Sequence, residues 1–205
     1  MLASRRAFFL KKMTLLYDAA KAFQNLLGIE YDFLIARKGV TVPVRVVFHK
    51  SHFYHLAGLH YLTDIQLLRG DREKIFNRII LGVITDADIE KSHFYKKIES
   101  RLKELQNLEF YFDSNTLVFK YNSITANFPL IKADYLLESK TEMMTTYTFL
   151  AKNADNNFFC KSFFPKDKQD YSIGQTNWTI LLKKKINLLT GDARELFRHK
   201  NFTRG

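Results

Sequence analysis

The feature of this chain that most constrains its fold is a change in the spacing of its apolar residues. In the first half they recur mainly at steps of three and four, whereas from residue 107 onward they alternate. The first spacing is typical of amphipathic helices and the second of strands. Helices followed by consecutive strands, without alternating β-α units, predict an α+β fold in which N-terminal helices pack on an antiparallel β-sheet of about four to six strands.

We expect a single domain over residues 1–205, because no Pro-, Gly- or Ser-rich linker interrupts the chain. Residues 1–106 are predicted to be mainly helical with a β-hairpin at 30–48, residues 107–190 to form the antiparallel sheet, and residues 191–205 to form a C-terminal tail. Hydrophobic residues make up 46% of the chain, which is enough to bury a core without disulfides or metals.

The N-terminal pattern predicts one long amphipathic helix and a hairpin. Apolar residues at helical spacing run over residues 7–27, and Gly28 stands where a helix C-cap is expected. Alternating residues in 31–48 then predict the two strands of the hairpin. Pro43 lacks an N–H donor, so its strand is expected at a sheet edge or at a bulge.

Cap residues predict three further helices. Ser51 is expected to cap a helix over residues 52–62, and another is expected over residues 71–82. Thr85 and Asp88 have the spacing of a capping box and predict the start of a third. The buried stripe of this third helix is predicted to consist of Ile89, Ile98, Leu102 and Leu105.

The second half of the chain is predicted to consist of strands at 108–112, 116–121, 133–138, 145–152, 158–164 and 177–186. In the strand at 158–164, simple alternation predicts Phe159, Lys161 and Phe163 on one face and Cys160, Ser162 and Phe164 on the other. A Lys or Ser among aromatic residues on a sheet suits base stacking and phosphate binding, although aromatic alternation is more often core packing. The lysines at 183–185 alternate between faces, so at least one is expected to be free to meet phosphate.

The charge of the chain indicates an anionic partner. The net charge is +11, and it is concentrated in residues 1–12, with four basic residues and no acid, and in residues 158–205, with ten basic residues against four acids. If the fold brings the two ends together, they create a positive potential that attracts nucleic acid. The alternative is a basic surface that only keeps the protein soluble.

The cysteine content and the hydropathy indicate a cytoplasmic protein. Cys160 is the only cysteine, so no intramolecular disulfide forms. The apolar run after Arg5 and Arg6 ends at Leu10 and is too short for a signal peptide, and no run of about 18 apolar residues is present. We therefore expect no membrane association.

Four of the six histidines lie within twelve residues: His49, His52, His55 and His60. His52 and His55 could share a helix face and bind a metal, but there is no HExxH pattern and no nearby cysteine, so no metal and no cofactor are expected. Imidazoles can instead act as general acid and base in RNA cleavage, where a base deprotonates the ribose 2′-hydroxyl and an acid protonates the leaving 5′-oxygen. Structural packing is favoured for His49 and His52, which lie at a strand-helix junction, whereas His55 and His60 are candidates for catalysis.

Several strings, taken in order, give the chain a resemblance to a known family. FYHLAGLHYL, KSHFYKKI, ADYLLES, CKSFF and YSIGQTNWTILLKKK resemble the PBECR4 family, whose members are phage and bacterial domains of the Barnase-EndoU-ColicinE5/D-RelE class of ribonucleases. The resemblance extends from Tyr17 to Leu188. It implies N-terminal helices on an antiparallel sheet and metal-independent RNA cleavage by a toxin or host-interaction factor.

The matched strings single out individual residues. HLAGL contains His55 and Gly58, KSFF contains Lys161 and Ser162, and YSIGQ contains Tyr171 and Gln175. With His60, which lies just beyond the first string, the predicted catalytic residues are His55, His60, Lys161, Ser162 and Tyr171. The predicted substrate-binding residues are Gln175, Lys183 and Lys185.

Three hypotheses about function follow from the sequence. The first is a metal-independent endoribonuclease in which His55 is acid or base, His60 or Tyr171 is its partner, and Lys161 and Ser162 hold the phosphate. The second is a non-catalytic protein that binds nucleic acid, or a phage inhibitor that acts on a host nucleoprotein. The third is a protein-interaction module whose basic charge is incidental. RNA, and a cognate inhibitor or host protein, are the expected partners.

Overall fold

The computed structural model describes residues 14–202 except residues 115, 126–130 and 143. The helices are α1 (Leu15–Leu26), α2 (Lys50–Leu56), α3 (Arg72–Ile80), α4 (Asp86–Ile89), α5 (Glu99–Leu105) and α6 (Leu108–Asp113). The strands are β1 (Ile29–Arg37), β2 (Val40–Val47), β3 (Thr116–Lys120), β4 (Tyr135–Lys140), β5 (Thr145–Lys152), β6 (Phe158–Pro165), β7 (Thr176–Asn187) and β8 (Ala193–Arg198). In the described part of the chain, no helix is long and apolar enough to cross a membrane.

Several local predictions of helices are confirmed. The described part of the predicted helix 7–27 is α1, and the first residues of that prediction lie outside the described residues. The Asp71 side chain caps α3 by accepting a hydrogen bond from the backbone N–H of Lys74. Thr85 and Asp88 form the expected capping box. The predicted third helix is divided between α4 and α5, and its four stripe residues are all fully buried.

The structure confirms the α+β class but not the size of the sheet. The strands are ordered β1-β2-β6-β5-β4-β3-β7-β8, and β1 also pairs with β7. Seven strands therefore close into a barrel, and β8 pairs with β7 as an additional antiparallel strand. The prediction of four to six strands was too low because the N-terminal hairpin joins the C-terminal strands, and because residues 191–205, predicted as a tail, contain β8. One contact is parallel, since Val46 of β2 pairs with Phe158 of β6.

The structure corrects one strand prediction and confirms another. Residues 108–112, predicted as a strand, lie in α6, where Leu108, Tyr111 and Phe112 are buried at steps of three and four. A period of two predicts a strand there, but the observed burial follows the helical period. Pro43 is exposed on β2, which pairs with β6 only near its end, so this proline does stand on an open strand edge.

Apolar side chains form two clusters on the two faces of the sheet. The larger cluster joins the helices to residues such as Tyr31, Phe33 and Phe163. The smaller cluster consists of aromatic and aliphatic residues on β3, β4 and β5 with Tyr171 from the loop after β6. The strand β6 contributes to both clusters, which places it between the helices and the C-terminal loop.

Lys183 attaches the end of α6 to the sheet. Its side chain is only 1% exposed, and Nζ donates hydrogen bonds to the backbone carbonyls of Phe112 (2.8 Å), Asp113 (3.3 Å) and Ser114. The last carbonyls of a helix have no partner within the helix, and a lysine can satisfy them. Lys183 therefore closes the C-terminus of α6 instead of meeting substrate, which corrects its predicted role in substrate binding.

Replacing this lysine is expected to destabilise the fold. Lys183→Met keeps the aliphatic volume but leaves buried carbonyls without donors, so the free energy of unfolding should fall by about 1–3 kcal/mol in urea denaturation. Lys184→Met, at the neighbouring position, is the matched control and should change stability by less than about 0.5 kcal/mol. Equal effects of the two substitutions would show that the carbonyl contacts contribute nothing.

Candidate functional site

A cleft of about 850 Å³ opens between the helical segment after β2, helix α5 and the strand β6 with its following loop. All five residues predicted as catalytic line this cleft: His55, His60, Lys161, Ser162 and Tyr171. They come from three separate parts of the chain, so only the fold brings them together. A concave site with several convergent polar groups is the usual form of a binding or active site.

Gly58 places the two histidines of the cleft on the same wall. It ends α2 with a φ of 75°, and a tight 3-10 turn over Leu59–Tyr61 follows. The ring centroids of His55 and His60 are consequently 4.9 Å apart. A Cβ atom at Gly58 would lie 2.8 Å from Cγ2 of Ile98, so this turn also needs glycine to pack against the start of α5.

Both imidazoles in the cleft are held in the neutral form at neutral pH. Burial lowers the pKa of His55, and the nearby charges of Arg72 and Lys161 lower it further. Burial, His55 and Arg101 together lower the pKa of His60 to about 4. A neutral imidazole can accept a proton, which is the state that a general base requires.

A β-bulge places Lys161 and Ser162 at the cleft. Phe149 of β5 pairs with Ser162 and the next residue, Leu150, pairs with Cys160, so Lys161 has no partner on β5. The bulge shifts the alternation by one residue and puts Phe159, Ser162 and Phe164 on one face. The simple alternation predicted for 158–164 was therefore wrong beyond Cys160, because an extra residue reverses the faces. Bulges commonly redirect side chains beside active sites.

Tyr171 reaches the cleft from a loop that Asp170 holds in place. The Asp170 carboxylate accepts hydrogen bonds from the hydroxyl of Tyr147 (2.9 Å), from the backbone and hydroxyl of Ser172 (2.9 and 2.6 Å) and from Lys166. The ring of Tyr171 packs edge-on against Phe164, with the centroids 5.4 Å apart. Burial raises the pKa of Tyr171, so the phenol stays protonated at neutral pH.

The cleft has a strong excess of positive charge. Among the described residues, its lining includes five cationic side chains, Lys97, Arg101, Lys161, Lys166 and Lys168, and one acidic residue, Asp167. Lys166 also pairs with Asp170. A concave surface with low-polarity walls concentrates such a potential and attracts anions.

Arg101 is a residue of the cleft that was not identified from the sequence. Arg101 on α5 donates a hydrogen bond from Nη1 to the carbonyl of Phe163 at 3.2 Å, and its guanidinium lies 5.3 Å from the ring centroid of Tyr61 and 5.0 Å from that of Phe164. Arg101 stands beside the buried Leu102 in an ordinary amphipathic helix pattern. That pattern does not distinguish it from a solvated arginine.

The structure does not bring the predicted substrate-binding residues to the cleft. The side-chain oxygen of Gln175 accepts a hydrogen bond from the backbone N–H of Asn122 at 2.6 Å, and its side-chain nitrogen donates one to the backbone carbonyl of Asn122 at 3.1 Å. Lys183 is buried under α6. Lys185 forms ion pairs with Glu109 and Asp113, the latter at 3.1 Å. Strand alternation predicts on which face of the sheet each lysine lies, but it does not predict that α6 covers that face.

His49 and His52 are structural residues at the start of α2. The Nδ1 atom of His52 accepts a hydrogen bond from the backbone N–H of His49 at 3.2 Å, as part of a capping box. The ring of His52 stacks on Phe159, with the centroids 4.9 Å apart. Across the described residues, no group of three or more His, Cys, Asp or Glu side chains is placed to share a metal ion.

The conformation of Gly58 gives a prediction about stability. Gly58→Ala combines a left-handed φ with a clash against α5 and should lower the free energy of unfolding by about 2–4 kcal/mol. Gly39→Ala is the matched control, because Gly39 has a similar φ of 80° with open space around it. It should cost only about 1–2 kcal/mol. If chemical denaturation gave the same loss for both, the close packing of Gly58 on α5 would be disproved.

The environment of His60 gives a prediction about titration. In a proton NMR titration its imidazole signal, assigned with His60→Asn, should have a midpoint near pH 4 instead of the ordinary 6.5. As the pH falls, His60 is protonated near pH 6.5 in the unfolded chain but only near pH 4 in the folded protein. The contribution of His60 to stability is therefore present above pH 6.5 and lost as the pH falls to about 4. A midpoint near 6.5 would contradict the neutral, half-buried state described here.

Comparison with known proteins adds one finding. Residues 15–200 match the model of the PBECR4 family, described as phage-Barnase-EndoU-ColicinE5/D-RelE like nuclease4. No curated protein and no solved structure gave a significant match. The family match covers most of the chain, including every residue of the cleft, and confirms the resemblance noted in the sequence.

Proposed function

The chain belongs to the PBECR4 family of nuclease-like domains, and from this premise we propose that it is an endoribonuclease that cleaves RNA by transesterification without a metal ion. The observation that carries the proposal is the convergence of His55, His60, Lys161, Ser162 and Tyr171 on one cationic cleft. Positive charge supports binding of a polyanion. Neutral imidazoles beside a protonated phenol support proton transfer.

In the proposed reaction, His55 takes the proton from the ribose 2′-hydroxyl. The 2′-oxygen forms a bond to phosphorus, and the bond from phosphorus to the 5′-oxygen breaks. The products are a 2′,3′-cyclic phosphate and a 5′-hydroxyl, so one proton must be delivered to the leaving oxygen. Tyr171 suits this role because its raised pKa keeps the phenol protonated. His60 can donate only after it has taken up a proton itself, because its pKa is about 4.

Lys161 and Ser162 are proposed to hold the phosphate group during this step. The bulge leaves Lys161 exposed at the cleft, and Ser162 lies next to it on the face that carries Phe164. An ammonium group and a hydroxyl can each donate a hydrogen bond to a nonbridging phosphate oxygen. Gln175, Lys183 and Lys185 are left out of the proposed site, because their polar groups are engaged elsewhere.

Cleavage of a labelled single-stranded RNA in the presence of EDTA tests the proposal. The wild-type protein should release a cyclic phosphate product, and the same oligonucleotide made of DNA should remain intact because it lacks the 2′-hydroxyl. His55→Ala should lower the rate by about 10²–10⁴-fold. His93→Ala is the matched control, since the His93 side chain is 92% exposed and lies outside the cleft.

The outcomes separate the candidate functions. Loss of cleavage in EDTA would reject metal independence, and cleavage of DNA would reject an attack by the 2′-hydroxyl. Salt-dependent RNA binding by the wild-type protein without any cleavage would favour a non-catalytic nucleic-acid-binding protein. Full activity of His55→Ala would reject the assignment of the base.

A further inference from the structure

Arg101 holds a positive charge in the wall of the cleft, and no carboxylate of the described residues pairs with it. Among the residues that the structure describes, no Asp or Glu oxygen lies within 4.0 Å of its guanidinium. Burial lowers the pKa of Arg101, and its neighbours Tyr61 and Tyr171 act in the opposite direction. Partly buried charges in proteins are normally paired. This cation is therefore in a place where an anionic ligand would supply the missing charge.

Aromatic rings and a backbone carbonyl fix the position of the Arg101 guanidinium. The rings of Tyr61 and Phe164 both lie close to it, with centroids 5.3 and 5.0 Å from the central carbon. The hydrogen bond to the carbonyl of Phe163 occupies one of its five N–H donors. A side chain held in this way loses little conformational entropy when it binds a ligand. Arg101 lines the cleft, and among the described residues its guanidinium makes no other hydrogen bond, so its remaining donors can meet a ligand.

We propose that Arg101 binds the phosphate that undergoes cleavage, by donating hydrogen bonds from its guanidinium to the nonbridging oxygens. Its planar fork matches two phosphate oxygens at once, which an ammonium group cannot do. As phosphorus becomes pentacovalent, negative charge on those oxygens increases, and a fixed cation stabilises that state more than the ground state. This inference deepens the proposed function, on which its catalytic part rests.

The neighbouring groups favour a phosphodiester over a carboxylate ligand. The same cleft contains the Ser162 hydroxyl, the exposed ammonium group of Lys161 and the two neutral imidazoles. A carboxylate needs one cationic partner and no proton acceptor. A phosphodiester beside a ribose hydroxyl uses several cations and a base at the same place.

Binding of a hexamer made of 2′-deoxy residues, which has no 2′-hydroxyl to attack phosphorus, tests this role separately from cleavage. Arg101→Gln and Arg101→Lys should each weaken the affinity about tenfold, and Arg101→Gln, which removes the charge, should also reduce the slope of log affinity against log salt concentration by about one. With a cleavable hexamer, kcat should fall by about 10²–10³-fold in both variants. Arg78→Gln is the matched control, because Arg78 also donates to a backbone carbonyl, that of Leu67, but lies outside the cleft.

A structural role alone would lower the melting temperature of the Arg101 variants but leave the salt slope of Arg101→Gln unchanged, and that result would overturn the inference. Should both variants fail to fold, the Nε–H signal of Arg101 in the wild-type protein provides the test. It should shift on addition of the 2′-deoxy hexamer while that of Arg78 does not, and an unshifted signal would also overturn the inference. If the wild-type protein binds through Arg101 but does not cleave, the proposed function fails and the phosphate site stands.

Discussion

The pairing of β1 with β7 is the contact on which the rest of the structure depends. It joins the N-terminal hairpin to a strand about 150 residues later in the chain, from Ile29 opposite Asn187 to Ala36 opposite Thr179. This pairing closes the ring of seven strands. Closure brings the end of β2 to β6, where Val46 meets Phe158. Because α2 follows β2 directly, it packs beside β6, and His55 on α2 comes to the same cleft as Lys161 on β6.

The arrangement of the cleft lowers the free energy of unfolding of the protein. The Nδ1 atom of His60 is buried without a hydrogen-bond partner among the described residues, and Arg101 has no carboxylate partner there. Each such group lowers the free energy of unfolding compared with a fully paired one. Unpaired polar groups of this kind are typical of sites prepared for a ligand. By contrast, Lys183 has its ammonium group fully surrounded by carbonyls, as expected for a residue that serves the fold.

Local patterns in the sequence were enough to predict much of the fold and part of the site. Some features depend on neighbouring residues only, namely the helix caps at Asp71 and Thr85 and the alternation over 145–152. The structure has α3, α4 and β5 where these features predict them. The closure of the ring depends on pairing between strands that are far apart in the chain, and the local spacing of apolar residues does not predict such pairing. The bulge at Lys161 could not be found either, because an alternating sequence is compatible with any register. Arg101 was missed for a related reason: its importance comes from the rings that surround it and not from its position on α5.

The distribution of charge shows most clearly why a sequence average can mislead about a site. The C-terminal segment has the largest excess of basic residues, but Lys185 and Arg194 are used in ion pairs with Asp113, and Arg198 is paired with Glu195. Those charges hold α6 and β8 to the sheet and contribute little to the field in the cleft. Of the five cations that line the cleft, Lys161, Lys166 and Lys168 do come from the C-terminal segment, whereas Lys97 and Arg101 come from the nearly neutral middle of the chain. The potential that a substrate would meet is therefore set by which cations the fold leaves without acidic neighbours, since an ion pair cancels most of the field of its members beyond a few ångströms.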